Sequence, residues 1–250
     1  MKLKLIAAVL GLAASVPALA VDFVANDATP SVISPAPGSE ASLQTIVAAL
    51  FPASGINVNT DQSSAGQWSS SSPSAASSIP TLVAEFTANA GTQSFGIWFG
   101  TNTDNIVSYD LLLGGAAATD AVGMTIVGNT LEVFGPASAC GTKFNCGTFT
   151  NALINPTSFG FFFKPSPSGP TYYSLDQLNG GPRDDRFIAF QDGSTTNWLF
   201  AYEDGTDWDY NDMAVKVESV TAVPEPETYA LMLAGLGAVG FMSRRRKRAA

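Results

Sequence analysis

The ten residues Glu203-Asp204-Gly205-Thr206-Asp207-Trp208-Asp209-Tyr210-Asn211-Asp212 hold five carboxylates and one carboxamide. Carboxylates packed this closely repel and raise one another's pKa values unless a cation intervenes. Asp207, Asp209 and Asn211 alternate, so their oxygens can converge as the backbone curls. Ca²⁺ takes about six to eight oxygen ligands from groups of this kind. Glu203, Asp204, Asp207, Asp209, Asn211 and Asp212 are therefore the expected metal set, with Ca²⁺ the expected ion. The competing reading is a solvated acidic turn whose Asp and Asn side chains bond their own backbone. Counted from Asp207, the EF-hand template is filled by Asp207, Asp209, Asn211 and, at its last place, Glu218. Asp212 stands where the sharp turn needs Gly, and the flanks read as strands, so a Ca²⁺ loop between strands is expected instead of an EF-hand. Trp208 and Tyr210 interleave the acids and are expected to pack onto the core; exposed, they would stack on a sugar ring. A second patch, Arg183-Asp184-Asp185-Arg186, reads as internal charge pairing, with Asp184 or Asp185 a possible ligand from a neighbouring loop.

Composition limits the chemistry further. The chain has 250 residues, 13% of them charged, and no histidine. Ser-His-Asp and Cys-His nucleophiles, histidine bases and histidine-ligated zinc or haem are excluded. A glycan-cleaving enzyme could still use two carboxylates, Asp209 with Glu203 or Asp185. Such pairs stand about 5–5.5 Å or about 6.5–9.5 Å apart across a cleft, and crowded acids in one turn suit a cation better. The expectation is a protein that is not an enzyme. The two cysteines, Cys140 and Cys146, are expected to form a disulfide outside the cytoplasm.

Both ends read as addresses. Met1 to Ala20 has Lys2 and Lys4, an apolar Leu5–Leu12 core and Ala18-Leu19-Ala20 at its close, which predicts a secretory signal peptide cleaved between Ala20 and Val21. At the other end stand Val223-Pro224-Glu225-Pro226, an uncharged apolar run of 15 residues at 228–242, and the basic cluster 244–248. The run predicts a short transmembrane helix, brief against the roughly 20 residues of a stable span, so anchoring is expected to be transient. The basic cluster would remain cytoplasmic. This tail resembles the PEP-CTERM sorting signal of Gram-negative bacteria. The resemblance implies processing by signal peptidase and an exosortase, export through the inner membrane, and arrival at the cell surface, the outer membrane or an exopolysaccharide matrix such as a biofilm. Between the ends, residues 21–223 carry five bases and 19 acids, a net charge of −14. Such acidity argues against nucleic acid as a partner.

The elements that must position the acidic loop read as β. Residues 21–38 are irregular, Ser39 is the expected cap of a helix at about 40–50, and the Ser-rich stretch 63–78 reads as a loose loop. Ten strands are predicted: Thr81–Thr87, Phe95–Thr101, Ile106–Leu113, Met124–Val127, Thr130–Phe134, Ser158–Lys164, Thr171–Ser174, Phe187–Gln191, Asn197–Tyr202 and Met213–Val220. Gly128-Asn129 is a two-residue hairpin signal. The expected fold is all-β, a β-sandwich of jelly-roll-like form with one short accessory helix, over an exported domain at 39–221 followed by the sorting tail at 222–250. The run Trp198–Asp204 with Asp207–Met213 is similar to the closing motif of domain of unknown function 4114, found in exported bacterial proteins. Tyr172–Asn179 and Phe95–Trp98 also resemble members with PEP-CTERM tails. Members usually have Phe where Tyr202 stands. The resemblance implies an exported β-rich domain with a cation site at Glu203, Asp204, Asp207, Asp209, Asn211 and Asp212. A non-enzymatic, Ca²⁺-binding surface or matrix protein is expected. The alternative is an exopolysaccharide-binding module carried by Trp68, Trp98 or Trp208.

Overall fold

The computed structural model describes residues 23, 26, 32–71, 77–84, 91–180, 185–193, 196–223 and 232–239. Signal peptide, cleavage point, Pro224-Glu225-Pro226, the basic cluster and Asp184 lie outside them. In chain order the elements are α1 (Leu43–Leu50), β1 (Trp68–Ser70), β2 (Ser77–Ala84), β3 (Ser94–Asn102), β4 (Asn105–Leu112), β5 (Gly123–Val127), β6 (Thr130–Phe134), β7 (Gly147–Thr150), β8 (Gly160–Lys164), β9 (Tyr172–Tyr173), β10 (Phe187–Gln191), β11 (Trp198–Tyr202), β12 (Met213–Glu218) and β13 (Val220–Ala222), with a short 3₁₀ helix at Asp176–Leu178. A further helical segment covers 232–239. Among the described residues no helix is long and apolar enough to cross a membrane.

The fold is all-β in its framework. Seven strands run in the order β10-β11-β12-β2-β5-β6-β7, four in the order β4-β3-β8-β9, and β1 pairs with β13. The strand pairs are antiparallel. Phe95, Ile97, Phe99, Phe161 and Phe163 of the four-stranded sheet share one buried cluster with Phe200, Tyr202, Val215 and Met124 of the seven-stranded sheet. The seven-and-four division differs from the paired four-stranded sheets of a jelly roll. The β5–β6 hairpin turns at Gly128, where a φ of 58° gives the positive dihedral that such a turn needs at its first central residue.

The outer face of β10–β12 is covered as well. Leu43, Ile46 and Val47 of α1 pack on Ile188, Phe190, Leu199, Ala201 and Ala214. This explains why Trp198-Leu199-Phe200-Ala201-Tyr202 is a continuous apolar run instead of an alternating one: the strand is buried on both faces. The helix is capped by Ser42, whose hydroxyl accepts from the Thr45 N–H, and not by Ser39. The 63–78 stretch is no loose loop throughout, because it contains β1 and the start of β2. β2 also begins before Pro80, a residue that argues against a central strand. It is tolerated because the β2–β5 pairing covers only Ser77 and Ser78; beyond them, the carbonyl of Pro80 accepts from Val122 N. The predicted strand Met213–Val220 is two strands, divided at Ser219 with φ 63°. β7 was masked in the sequence by its weak Gly147-Thr148-Phe149-Thr150 pattern.

Candidate metal centre

β11 and β12 form an antiparallel pair, Tyr202 opposite Met213, and residues 203–212 close it. The loop folds around Glu203, which is fully buried. Its Oε1 accepts from Gly205 N at 2.7 Å, and its Oε2 from Asp209 N at 3.1 Å and Tyr210 N at 3.4 Å. Successive N–H groups turned inward in this way form an anion-binding nest. The curl needs left-handed backbone at Trp208 (φ 60°) and Tyr210 (φ 55°), which costs roughly 1–2 kcal/mol at each bulky L-residue. The three N–H bonds to Glu203 help to offset that cost. Asp209 Oδ1 accepts from Asn211 N, and Asp212 Oδ2 accepts from Asp204 N at 2.6 Å.

Glu203, Asp207 and Asp209 bring one carboxylate oxygen each within 4.8 Å of one another. Glu203 and Asp209 are buried while Asp207 is exposed, so the cluster reaches from the interior to the surface. Asp209 is 1% exposed, and its Oδ2 has no hydrogen-bond partner. Gly205 stands over the cluster: a Cβ there would lie 3.2 Å from both Asp207 Oδ1 and Glu203 Oε1. Side chains beyond a glycine's would crowd these oxygens.

Among the described residues the bases do not neutralise this group. Lys143, Lys164 and Lys216 pair with Asp120, Asp110 and Glu218. Arg186 donates to the carbonyl of Gly205 and lies over the Trp208 ring at 4.4 Å and the Tyr172 ring at 5.4 Å. Its charge is spent on a carbonyl and two π-faces. Burial accordingly pushes Asp209 up to about 6, with the charges of Asp207, Glu203 and Glu40 adding to the shift. Burial pushes Asp212 up to about 8, helped by Glu203 and Asp204 and by a hydrogen bond with Glu203. Glu203 is also raised, burial outweighing the N–H groups of Gly205 and Tyr210. Three carboxylates of unequal exposure, one of them with an orphaned oxygen, are a donor set for a hard cation with oxygen ligands. Glu203, Asp207 and Asp209 would hold it, the exposed Asp207 side leaving room for water.

The six expected ligands therefore divide. Glu203, Asp207 and Asp209 converge. Asp204 Oδ2 accepts from Gln93 Nε2, and Asp212 bonds the Asp204 backbone. Asn211 Nδ2 donates to the carbonyl of Ala41, fastening the loop to the segment before α1. The Asp212 and Asn211 bonds stabilise the loop, and among the acids Asp204 and Asp212 stand outside the convergent trio. Asp185 contributes its backbone carbonyl to the Tyr210 hydroxyl. Glu218, the last place of the EF-hand template, is paired with Lys216. Tyr210 packs into the α1 cluster and Trp208 only partly so. Trp68 and Trp98 are fully buried in aromatic clusters and present no ring for a sugar. Gln93, Arg186 and Glu40 have places around the loop that spacing alone did not signal, since each comes from a distant part of the chain. Cys140 and Cys146 are bonded, their Cα atoms 5.3 Å apart.

Residues 222–247 match the PEP-CTERM protein-sorting motif. The motif marks the chain as an exported protein, sorted and processed by exosortase, with the cell envelope or surface as its destination. No curated protein and no solved structure matches the chain.

Proposed function

We propose that this is a non-enzymatic surface or matrix protein whose exported β-sandwich is fastened by Ca²⁺ at Glu203, Asp207 and Asp209. The observation that carries the reading is Asp209, buried with a partnerless Oδ2 and with one carboxylate oxygen within 4.8 Å of one each from Glu203 and Asp207. A buried carboxylate oxygen without a partner is costly, and a divalent cation removes the cost. The role at the surface is structural or adhesive, in an exopolysaccharide matrix. The apolar tail run anchors the chain transiently in the inner membrane before processing. On its closing motif, the body is grouped with domain of unknown function 4114.

Catalysis by the same carboxylates fits less well. Glu203 and Asp209 are both buried, whereas the two carboxylates of a glycan-cleaving enzyme face their substrate across a cleft. A polysaccharide reading is supported by one feature, the half-exposed Trp208 next to the exposed Asp207. Retention of the protein on acidic polysaccharide in Ca²⁺, but not in EDTA, would favour it.

Isothermal titration of the purified protein with CaCl₂ tests the cation. The expected affinity is about 10⁻⁴ to 10⁻³ M, the range of extracellular Ca²⁺ modules. Asp209→Asn is expected to abolish the heat of binding. Equal binding by the variant would remove Asp209 from the site.

A further inference from the structure

The sorting motif and the folded body overlap. The motif begins at Ala222, and Ala222 is the last residue of β13. β13 is paired with β1 in the register Trp68↔Ala222, Ser69↔Thr221, Ser70↔Val220. Beyond the strand, Val223 N donates to the carbonyl of Gln67 at 3.0 Å. The residue immediately before Pro224 is thus still fastened to the body, with no linker between fold and motif.

The two strands of this short sheet are held differently: β1 firmly at Trp68, β13 firmly only at Val220. Trp68 is fully buried and touches Phe161, Phe187, Trp198 and Phe200 ring to ring. Its backbone exchanges hydrogen bonds with Phe159. Val220 is also fully buried; its N–H donates to the Thr196 carbonyl and its carbonyl accepts from Trp198 Nε1. Thr221 is exposed and Ala222 and Val223 are only partly covered. A two-stranded ribbon of this length is marginal by itself, so it opens from its free side, and the tightly held Val220 is where opening stops.

A processing enzyme cuts chain that can leave its fold, and its rate follows the population of the open form when opening and closing are fast. We propose that β13 is a clip over the front of the sorting motif: residues 221–223 must peel from β1 before exosortase can process the tail, and Val220 limits the peel. Processing is thereby coupled to the body's own fold, and a tightly folded body releases its tail slowly.

Locking and loosening the clip test this in the full chain. Ser69 and Thr221 are opposed, with side chains turned away from the core, and opposed residues in antiparallel strands are within disulfide range. Ser69→Cys with Thr221→Cys, oxidised on export, is expected to slow appearance of the processed form on the order of tenfold or more in pulse–chase, in a Gram-negative host carrying exosortase. The same double-cysteine chain kept reduced, which cannot crosslink but carries the same substitutions, serves as the control for folding and for loss of the Ser69 Oγ bond to the Thr221 carbonyl. Inserting Gly-Ser-Gly-Ser between Val223 and Pro224, with the clip intact, is expected to speed processing of the parent and to restore it in the locked chain. Equal rates for locked and parent chains, or no effect of the insertion in either, would overturn the clip.

Discussion

Asp209 carries the most consequence of any single side chain. Its carboxylate, with those of Asp212 and Glu203, is held above its ordinary value by burial. The sign of the resulting pH dependence follows from linkage. The folded chain keeps protons that the unfolded chain releases, so stability is greatest below about pH 4 for these groups and falls as pH rises towards 8. Thermal melts in EDTA at pH 5 and pH 8 are therefore expected to show the lower melting temperature at pH 8. In Ca²⁺ the difference is expected to shrink, because the cation replaces the protons. A flat profile in EDTA would show that the buried carboxylates are already neutralised within the protein. The density of acids made this loop legible in the sequence. The division of labour among the acids was not, because it depends on which oxygens the curled backbone turns inward. Glu203 looked like one acid among five, yet three N–H groups make it the pivot of the loop.

At the scale of elements, the loop is positioned by β11, β12 and the segment leading into α1. Ser34 N donates to the Trp208 carbonyl and Asn211 to the Ala41 carbonyl, so the helix entry braces the loop from outside. Ser42→Ala removes the cap of α1 and is expected to cost about 1 kcal/mol, read by chemical denaturation. A loss below about 0.3 kcal/mol would mean that packing of Leu43, Ile46 and Val47 holds the helix without its cap. Strongly apolar strands such as Phe187–Gln191 and Trp198–Tyr202 were legible from composition and turn punctuation. β1 was not, since Trp68-Ser69-Ser70 sits in a Ser-rich run and owes its strand state to partners at 159 and 220–222. The break at Ser219 was equally hidden, because both sides of it alternate as one strand would.

At the scale of the whole molecule, an acidic body is held by its aromatic core, a disulfide and, on the proposed reading, a cation. The disulfide closes a short loop that also bears Lys143, paired with Asp120 at 2.6 Å. Replacing both cysteines by serine is expected to cost about 2 kcal/mol on the chain-entropy estimate for so short a loop, measured as a shift in denaturation midpoint. An unchanged midpoint would assign the bond no part in stability. The sorting motif was legible at the C-terminus because it is linear sequence, whereas the candidate cation centre depends on residues that only the fold assembles. The most direct test of that centre is the melting temperature of the purified protein at pH 8, in Ca²⁺ at about ten times its dissociation constant and in EDTA. The expected gain is about 1.4 kcal/mol of stability, seen as a clear rise in melting temperature that Asp209→Asn eliminates. Coincident melts in Ca²⁺ and EDTA would contradict the account.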